Sequence, residues 1–209
     1  FPDPLVPRRR RREVTERIAF DGSVVAPLDA DAVRVEGTRL VAEGCTAVAI
    51  CFLHAYANPR HEREAARILR REFPTLSISL SSDVAPEIRE YERFVTTCAN
   101  AFVQPLMDRY VEKLERGLRD AGFTGPLRLM QSDGGLCSAE VARAFPIRLL
   151  ESGPAGGALA TVLFAREAGL AEAIAFDMGG TTAKACLVEQ GRPAVAPMME
   201  AARVHRFKR

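Results

Sequence analysis

The sequence predicts an α/β fold. Three observations carry that expectation: helical patterns alternate with short apolar runs, residues 46–53 form a continuous apolar run, and a later apolar strand leads into acidic, glycine and hydroxyl residues. A continuous run of that length suits a strand buried in a parallel sheet, whereas a half-exposed strand would alternate. With 47% hydrophobic and 27% charged residues over 209 positions, the chain has the balance of a globular domain able to bury a core.

The elements follow in order. Residues 13–20 alternate moderately and end in Asp21-Gly22, a tight-turn signal before Ser23-Val24-Val25, which predicts a β-hairpin. Asp29 caps a helix running to about Glu43, and Gly44 stops it. Asn58-Pro59 opens a second helix with Ala65, Ile68, Leu69 and Phe73 at helical spacing, and 76–80 returns as a strand. This alternation is that of a βαβ unit. Pro86 stands near the start of a long helical pattern over 87–121, with Phe94, Cys98, Ala101, Phe102, Leu106 and Tyr110 on one apolar side. Pro105 is expected to kink or break it.

Gly122 and Gly125-Pro126 end that helix, and a short strand at 127–130 leads into Gln131-Ser132-Asp133-Gly134-Gly135. Ser138 starts a short helix, 147–150 reads as a further strand, and Glu151-Ser152-Gly153-Pro154 as a turn. A small-residue helix over 155–168 then precedes a strand that begins at 174–176.

Composition excludes several classes. No run reaches the roughly 18 apolar residues of a membrane span, and the start lacks the order of a secretory signal, so no membrane is expected and the cytoplasm is the simplest compartment. Phe1 is not an initiator methionine and Arg209 lies in basic sequence, so both ends are expected to be cuts through a longer protein. The basic stretch Arg8 to Arg12 lacks interleaved aromatics and any following nucleic-acid module, which favours a solvated face or short arm over a nucleic-acid tail. Five cysteines, at 45, 51, 98, 137 and 186, form no CxxC pair, and His54, His61 and His205 form no HxxxH or HExxH pattern. Cys45, Cys51, Cys98 and Cys186 lie in apolar sequence and read as small buried hydrophobes, with Cys137 the least secure.

The chemistry is expected at residues 173–188, where an apolar strand reaches Asp177, then Gly179, Gly180, Thr181 and Thr182, and a second strand. Glycines able to take positive φ would bring backbone N–H groups close to phosphate oxygens, where a β-carbon would obstruct. Thr181 and Thr182 add hydroxyls. Asp177 would repel phosphate directly but can hold a hydrated Mg²⁺, which takes one or two carboxylates plus waters and phosphate oxygens. A plain hairpin turn explains an isolated DxGG equally well. The context favours the phosphate reading, because Gly153, Gly156 and Gly157 open a helix whose N-terminal amides attract anions. Neither a GxxxxGK[ST] loop nor a GxGxxG fingerprint is present.

Four strings, EIREYERF at 87–94, QSDGG at 131–135, ESGPAGGALA at 151–160 and DMGGTTAKA at 177–185, occur in an order that resembles the ATP-dependent hydantoinase A, 5-oxoprolinase and acetone or acetophenone carboxylase family. The PLVPRR near the start extends the likeness over nearly the whole chain. The resemblance implies ribonuclease H-like lobes of the actin, Hsp70 and sugar kinase type, here partial. Residues 1–150 would be the remainder of an N-terminal lobe with its α/β region, and 151–209 the connecting helix and the start of a second ATPase lobe. Asp177 to Thr182 would be the second phosphate loop, with Asp177 and Thr181 catalytic and Gly153, Gly156, Gly157, Gly179, Gly180 and Thr182 against the nucleotide. An upstream DxGGTFTD-like loop and a downstream adenosine segment are absent, so these 209 residues alone are expected not to turn over ATP. The family's loop commonly continues Thr-Asp, where this chain has Ala183-Lys184; Lys184 either neutralises phosphate or faces solvent.

By the same resemblance, ATP with Mg²⁺ phosphorylates the carbonyl oxygen of a cyclic amide for ring opening, or of an enolised ketone for carboxylation. A second, hydantoinase B-like subunit or domain is implied as partner. Asp133 is a candidate on the substrate side, although turn geometry alone also explains a carboxylate before two glycines. Glu87, Arg89, Glu90, Glu92 and Arg93 read either as a substrate or interlobe surface or as a charged helix start with i,i+3 and i,i+4 pairs. A nucleotide-gated regulatory module without metabolite chemistry, and an interaction domain in which the glycine loop is only a turn, are the alternatives from other classes.

Overall fold

The computed structural model describes residues 4–180 and 182–196. Thr181 and His205 lie outside the described residues. The chain divides into two compact units, one of residues 4–124 with 143–147, the other of 125–142 with the residues from 148 onward. The segment 125–142 therefore belongs with the chain after 148, not with the residues that precede it.

In the first unit, β1 (Arg17–Ile18) and β2 (Val24–Ala26) form the expected antiparallel hairpin. Its turn is closed by Asp21, whose Oδ1 accepts from the Ser23 amide at 3.0 Å and hydroxyl at 2.7 Å, with Gly22 at φ +83°. Helix α1 (Ala30–Ala42) starts at Asp29, whose Oδ1 accepts the Ala32 N–H at 2.9 Å, and the chain leaves it through Gly44 at φ +77°. A parallel pair then forms: β3 (Ala47–Ile50) aligns with β4 (Ser77–Leu80), Ala47 opposite Ser77 and Ile50 opposite Leu80, joined through α2 (Arg60–Glu72). This is the predicted βαβ unit. Val33 of α1 and Ala65, Ala66, Ile68 and Leu69 of α2 bury against Ile50 and Leu80. The two helices meet closely at Gly37, where a β-carbon would stand 2.5 Å from Leu69 Cδ2.

The short α3 (Ser81–Val84) leads to α4 (Glu90–Asp120), which packs along β3 and β4. Pro105 does not break the helix, which is anchored on both sides, at Arg93–Ala101 before and Val111 after. One expectation fails here. The predicted apolar side does not face inward as a whole: Phe102, Leu106 and Tyr110 are exposed, while Arg93, Thr97, Asn100, Ala101 and Val111 are buried. Polar groups can line the inward face because each finds a partner. Asn100 Nδ2 donates to Ser79 Oγ at 3.0 Å and to the Ala144 carbonyl at 3.1 Å, and its Oδ1 accepts from Ile147 N–H at 3.2 Å.

The basic stretch lies on the end of α1. Arg10 Nη2 donates to the Glu43 carbonyl at 3.1 Å, and Arg12 pairs with Glu36 at 3.6 Å and with Glu43.

In the second unit, β5 (Arg128–Met130) and β6 (Leu136–Ser138) form an antiparallel hairpin around the QSDGG turn. The sequence pattern does not reveal β6, a strand of three residues. α5 (Ala139–Ala144) comes next. Residues Pro146–Leu149, of which Pro146 and Ile147 belong to the first unit, form a 3-10 turn where a strand was expected, since Pro146 has no N–H for a ladder and the Ile147 amide is held by Asn100 of that same unit. Helix α6 (Ser152–Glu167) begins three residues before the predicted 155. Gly153 and Pro154 lie in its first turn, where a proline costs no intrahelical bond. α6 packs on an antiparallel sheet in the order β7 (Glu172–Met178), β8 (Ala183–Glu189), β9 (Arg192–Pro193). Ala158 and Ala165 of α6 are buried, as are Ala175 and Val188 of the sheet, while Ile174, Phe176, Met178 and Leu187 are exposed.

Candidate phosphate-binding loop

The second unit holds every described residue of the predicted phosphate site. Strands β7 and β8 pair from Glu172 with Glu189 up to Asp177 with Lys184 and Met178 with Ala183, so residues 179–182 form the tip of a hairpin. This is the antiparallel arrangement expected of the two segments. Asp177, Gly179, Gly180 and Thr182 are all exposed at that tip.

The loop differs from expectation in its backbone. Neither Gly179 nor Gly180 has positive φ; the second unit's positive-φ glycines are Gly134, Gly169 and Gly191. The Gly179 N–H is also committed, donating to the Thr182 carbonyl at 3.0 Å and closing the loop. Gly180 is the open position: a β-carbon there would meet nothing within 4 Å, and its amide has no backbone partner among the described residues. An anion can therefore approach the Gly180 backbone, and the loop fits a phosphate there. Among the described residues no three His, Cys, Asp or Glu side chains gather as a metal cluster. A cation beside Asp177 would thus take most of its ligands from water and phosphate, as Mg²⁺ does.

The other candidates divide. Of the three glycines in α6, Gly156 packs on Met130, whose Cγ and Cε would lie 3.9 Å from a β-carbon, while Gly153 and Gly157 face open space. The QSDGG turn leans on the same helix, because Gly134, at φ +84°, would place a β-carbon 3.1 Å from Leu159 Cδ1. Asp133 is exposed, and its Oδ1 caps the Gly135 amide at 2.8 Å, which is the turn-forming role. Ser132 ties the turn down: its amide donates to the Arg148 carbonyl at 2.8 Å and its hydroxyl to the same carbonyl at 2.7 Å.

Two features were not legible in the sequence. Lys184 forms an ion pair with Glu151, the residue that enters α6 at φ +68°. The pair joins the β7–β8 hairpin to the N-terminus of α6, and places a carboxylate where the helix dipole favours one. The first unit holds a buried polar cluster around Glu62, Ser81 and Arg93, all at most 1% exposed. Glu62 Oε1 accepts from the Phe52 amide at 2.9 Å and the Ser81 hydroxyl at 2.6 Å, and its Oε2 accepts from the Ser82 amide at 2.8 Å. Arg93 Nε donates to Ser81 Oγ at 3.1 Å, Nη1 to the Glu87 carbonyl at 2.8 Å and Nη2 to the Phe52 carbonyl at 2.9 Å. The expected surface pairs Arg89–Glu92 and Glu90–Arg93 exist at 4.0 and 3.9 Å, but Arg93 is an interior residue. The only sequence signal was the spacing of Arg93, Thr97 and Asn100, which puts three polar side chains on one helix face.

The fold places this chain among the hydantoinase/oxoprolinase proteins. The Hydantoinase/oxoprolinase profile matches residues 93–208 and the Hydantoinase/oxoprolinase N-terminal region profile residues 1–73, and the chain belongs to this family. An uncharacterized protein of Methanocaldococcus jannaschii is 38% identical over 93% of this chain and 28% of its own length. Caprolactamase subunit alpha of Pseudomonas jessenii is 37% identical over 90% of this chain and 27% of its own. The crystal structure of that ATP-dependent caprolactamase superposes with a TM-score of 0.81. A nucleotide-free acetone carboxylase, from work on ATP-dependent acetone carboxylation, superposes with a TM-score of 0.82 at 29% identity, over 91% of this chain and 27% of that one. The chain thus spans about a quarter of the length of these relatives. No helix among the described residues is long and apolar enough to cross a membrane.

Proposed function

We propose that this chain is part of an ATP-dependent hydrolase that activates a cyclic amide by phosphorylating its carbonyl oxygen, so that water opens the ring. The observation that carries the reading is the hairpin tip at 179–182 with its open Gly180, in a chain of the hydantoinase/oxoprolinase family. An amide oxygen is a poor leaving group, and ATP, when bound, supplies the phosphoryl group that changes this. The protein's own task is then positioning and neutralising charge. The Gly180 amide would donate to a phosphate oxygen and Thr182 would add a hydroxyl, while Thr181 is assigned to the same role by its place in the sequence. Asp177 is the residue that would hold a hydrated Mg²⁺, and the Gly179 amide keeps the loop closed. Gly153 and Gly157 leave the start of α6 accessible to the nucleotide, while Gly156 seats that helix on Met130. In this reading β7 to β9 begin a second lobe of the actin and Hsp70 type, and α6 is the helix connecting the lobes. Asp133, committed to its own turn, would touch substrate only through its remaining acceptor capacity.

The name of the P. jessenii relative, a subunit alpha, supports a further subunit as partner. Ketone carboxylation is a second reading, supported by the superposition on acetone carboxylase. Phosphate release by the full-length protein with caprolactam, 5-oxoproline and hydantoin, against acetone or acetophenone with bicarbonate, separates the two.

The loop itself is tested by Gly180→Val. The position is open, so the variant is expected to fold as wild type by circular dichroism, while the side chain shields the amide. ATP-Mg²⁺ affinity is expected to fall by about tenfold or more, roughly 1.4 kcal/mol. Unchanged affinity in the folded variant would remove the assignment.

A further inference from the structure

Lys184 stands directly opposite Asp177 across the β7–β8 ladder. Side chains alternate along a strand, so Asp177 shares the face of the buried Ala175 and Lys184 that of the buried Val188, which is the face against α6. Opposed residues on one face place their β-carbons about 4.5–5.5 Å apart, close enough for a lysine to pair with a carboxylate. Yet the Lys184 ammonium pairs with Glu151 at the entry to α6, and among the described residues Asp177 has no ion pair.

Solvent decides between the two carboxylates. Asp177 is exposed and water solvates it, whereas Glu151 Oε2, the oxygen in the pair, is shielded. A shielded carboxylate oxygen left without a cation costs more than an exposed one. The backbone fixes the position as well. Glu151 takes φ +68°, in the left-handed region that a non-glycine residue seldom adopts, and its carbonyl accepts the Ala155 N–H at 3.2 Å.

We infer that Glu151 is a positioning residue: it draws Lys184 away from Asp177 and so keeps that carboxylate free for the hydrated cation of a bound nucleotide. This rests on the reading of 179–182 as a phosphate loop. With Glu151 neutral, the cross-strand carboxylate left to the ammonium is Asp177, and a lysine paired there competes with Mg²⁺ for the same oxygens. The consequence has opposite signs with and without metal. In Mg²⁺, more metal is needed before ATP binds. Without metal, the wild-type site sets a free carboxylate against the phosphates, and a lysine swung onto Asp177 removes that repulsion, so ATP binds more tightly. Damage to the entry of α6 would instead weaken binding in both conditions.

The test measures ATP binding to the full-length protein by isothermal titration calorimetry, over a series of Mg²⁺ concentrations and again in EDTA, so no turnover is needed. Glu151→Gln keeps the shape of the side chain and removes its charge. It is expected to raise the Mg²⁺ concentration for half-maximal binding by about two- to fivefold, the range set by one exposed ion pair, and to tighten binding in EDTA by about the same factor. The double variant Glu151→Gln/Lys184→Met has no ammonium to move, and is expected to return to within about twofold of the wild-type Mg²⁺ requirement. Weaker binding in both conditions, or a Mg²⁺ requirement that the double variant does not restore, would leave Glu151 a structural role only and overturn the inference. Gly180→Val is measured alongside. If it weakens ATP binding while Glu151→Gln shifts neither condition, the inference fails alone; if it leaves binding unchanged, the phosphate loop and the inference fall together.

Discussion

Replacing Arg93 by methionine tests whether the polar cluster in the first unit is structural. Methionine keeps an unbranched apolar stem in the space between Tyr56 and Phe94, whose rings lie 5.3 and 5.1 Å from the guanidinium carbon. It removes the three donors that reach Ser81 Oγ, the Phe52 carbonyl and the Glu87 carbonyl. Glu87 is exposed, so water replaces its partner at small cost. Ser81 is fully buried and Phe52 partly so, and each orphaned acceptor costs about 1–3 kcal/mol. The Glu62 carboxylate also loses the one cation linked to it through Ser81. The sum is about 3–5 kcal/mol, the range for removing one partner from a buried charged network. Arg93→Lys retains a charge but cannot make three diverging bonds, so about half that loss is expected. Urea unfolding followed by far-ultraviolet circular dichroism measures both variants. A loss below about 1 kcal/mol for Arg93→Met would mean that the Phe52 and Ser82 amides hold Glu62 unaided.

Two glycines in helices should respond in opposite directions to alanine. At Gly37 the new β-carbon meets Leu69 Cδ2 at 2.5 Å and Phe73 Cε2 at 2.9 Å, so overpacking of about 1–3 kcal/mol should exceed the gain in helix propensity. At Gly117 nothing lies within 4 Å, and about 0.5–1 kcal/mol of stabilisation is expected; thermal unfolding of both variants checks the signs. Lys184→Met breaks the partly exposed pair with Glu151, which should cost at most about 1 kcal/mol of stability. If the pair positions the phosphate hairpin on α6, the variant raises the KM for ATP with kcat retained; a fall in kcat alone would place Lys184 in the chemistry instead.

Much of the fold was legible because its signals are local. Asp29 caps its own helix three residues on, Gly44 terminates that helix, and the Asp21-Gly22 turn closes on Ser23. The order of strand, glycine tip and strand around residue 180 is likewise a short-range property, as is the apolar run that became β3. Helix α6 beginning at Ser152 was missed by three residues, because a Gly-Pro pair serves a turn and a first helical turn alike.

What the sequence by itself determined, then, was the alternation of elements, the family strings and the place of the glycine-tipped hairpin around residue 180, since each depends on residues within a few positions of one another. Only the tertiary structure decided which side of α4 faces inward. Apolarity favours the stripe through Phe102, Leu106 and Tyr110, yet Arg93 and Asn100 are the residues with partners 41 and 21 positions away, in Phe52 and Ser79. Lys184 meets Glu151 for the same reason. A polar or reactive side chain is assigned to interior or surface by the groups that satisfy it, and those groups become neighbours only when distant segments pack.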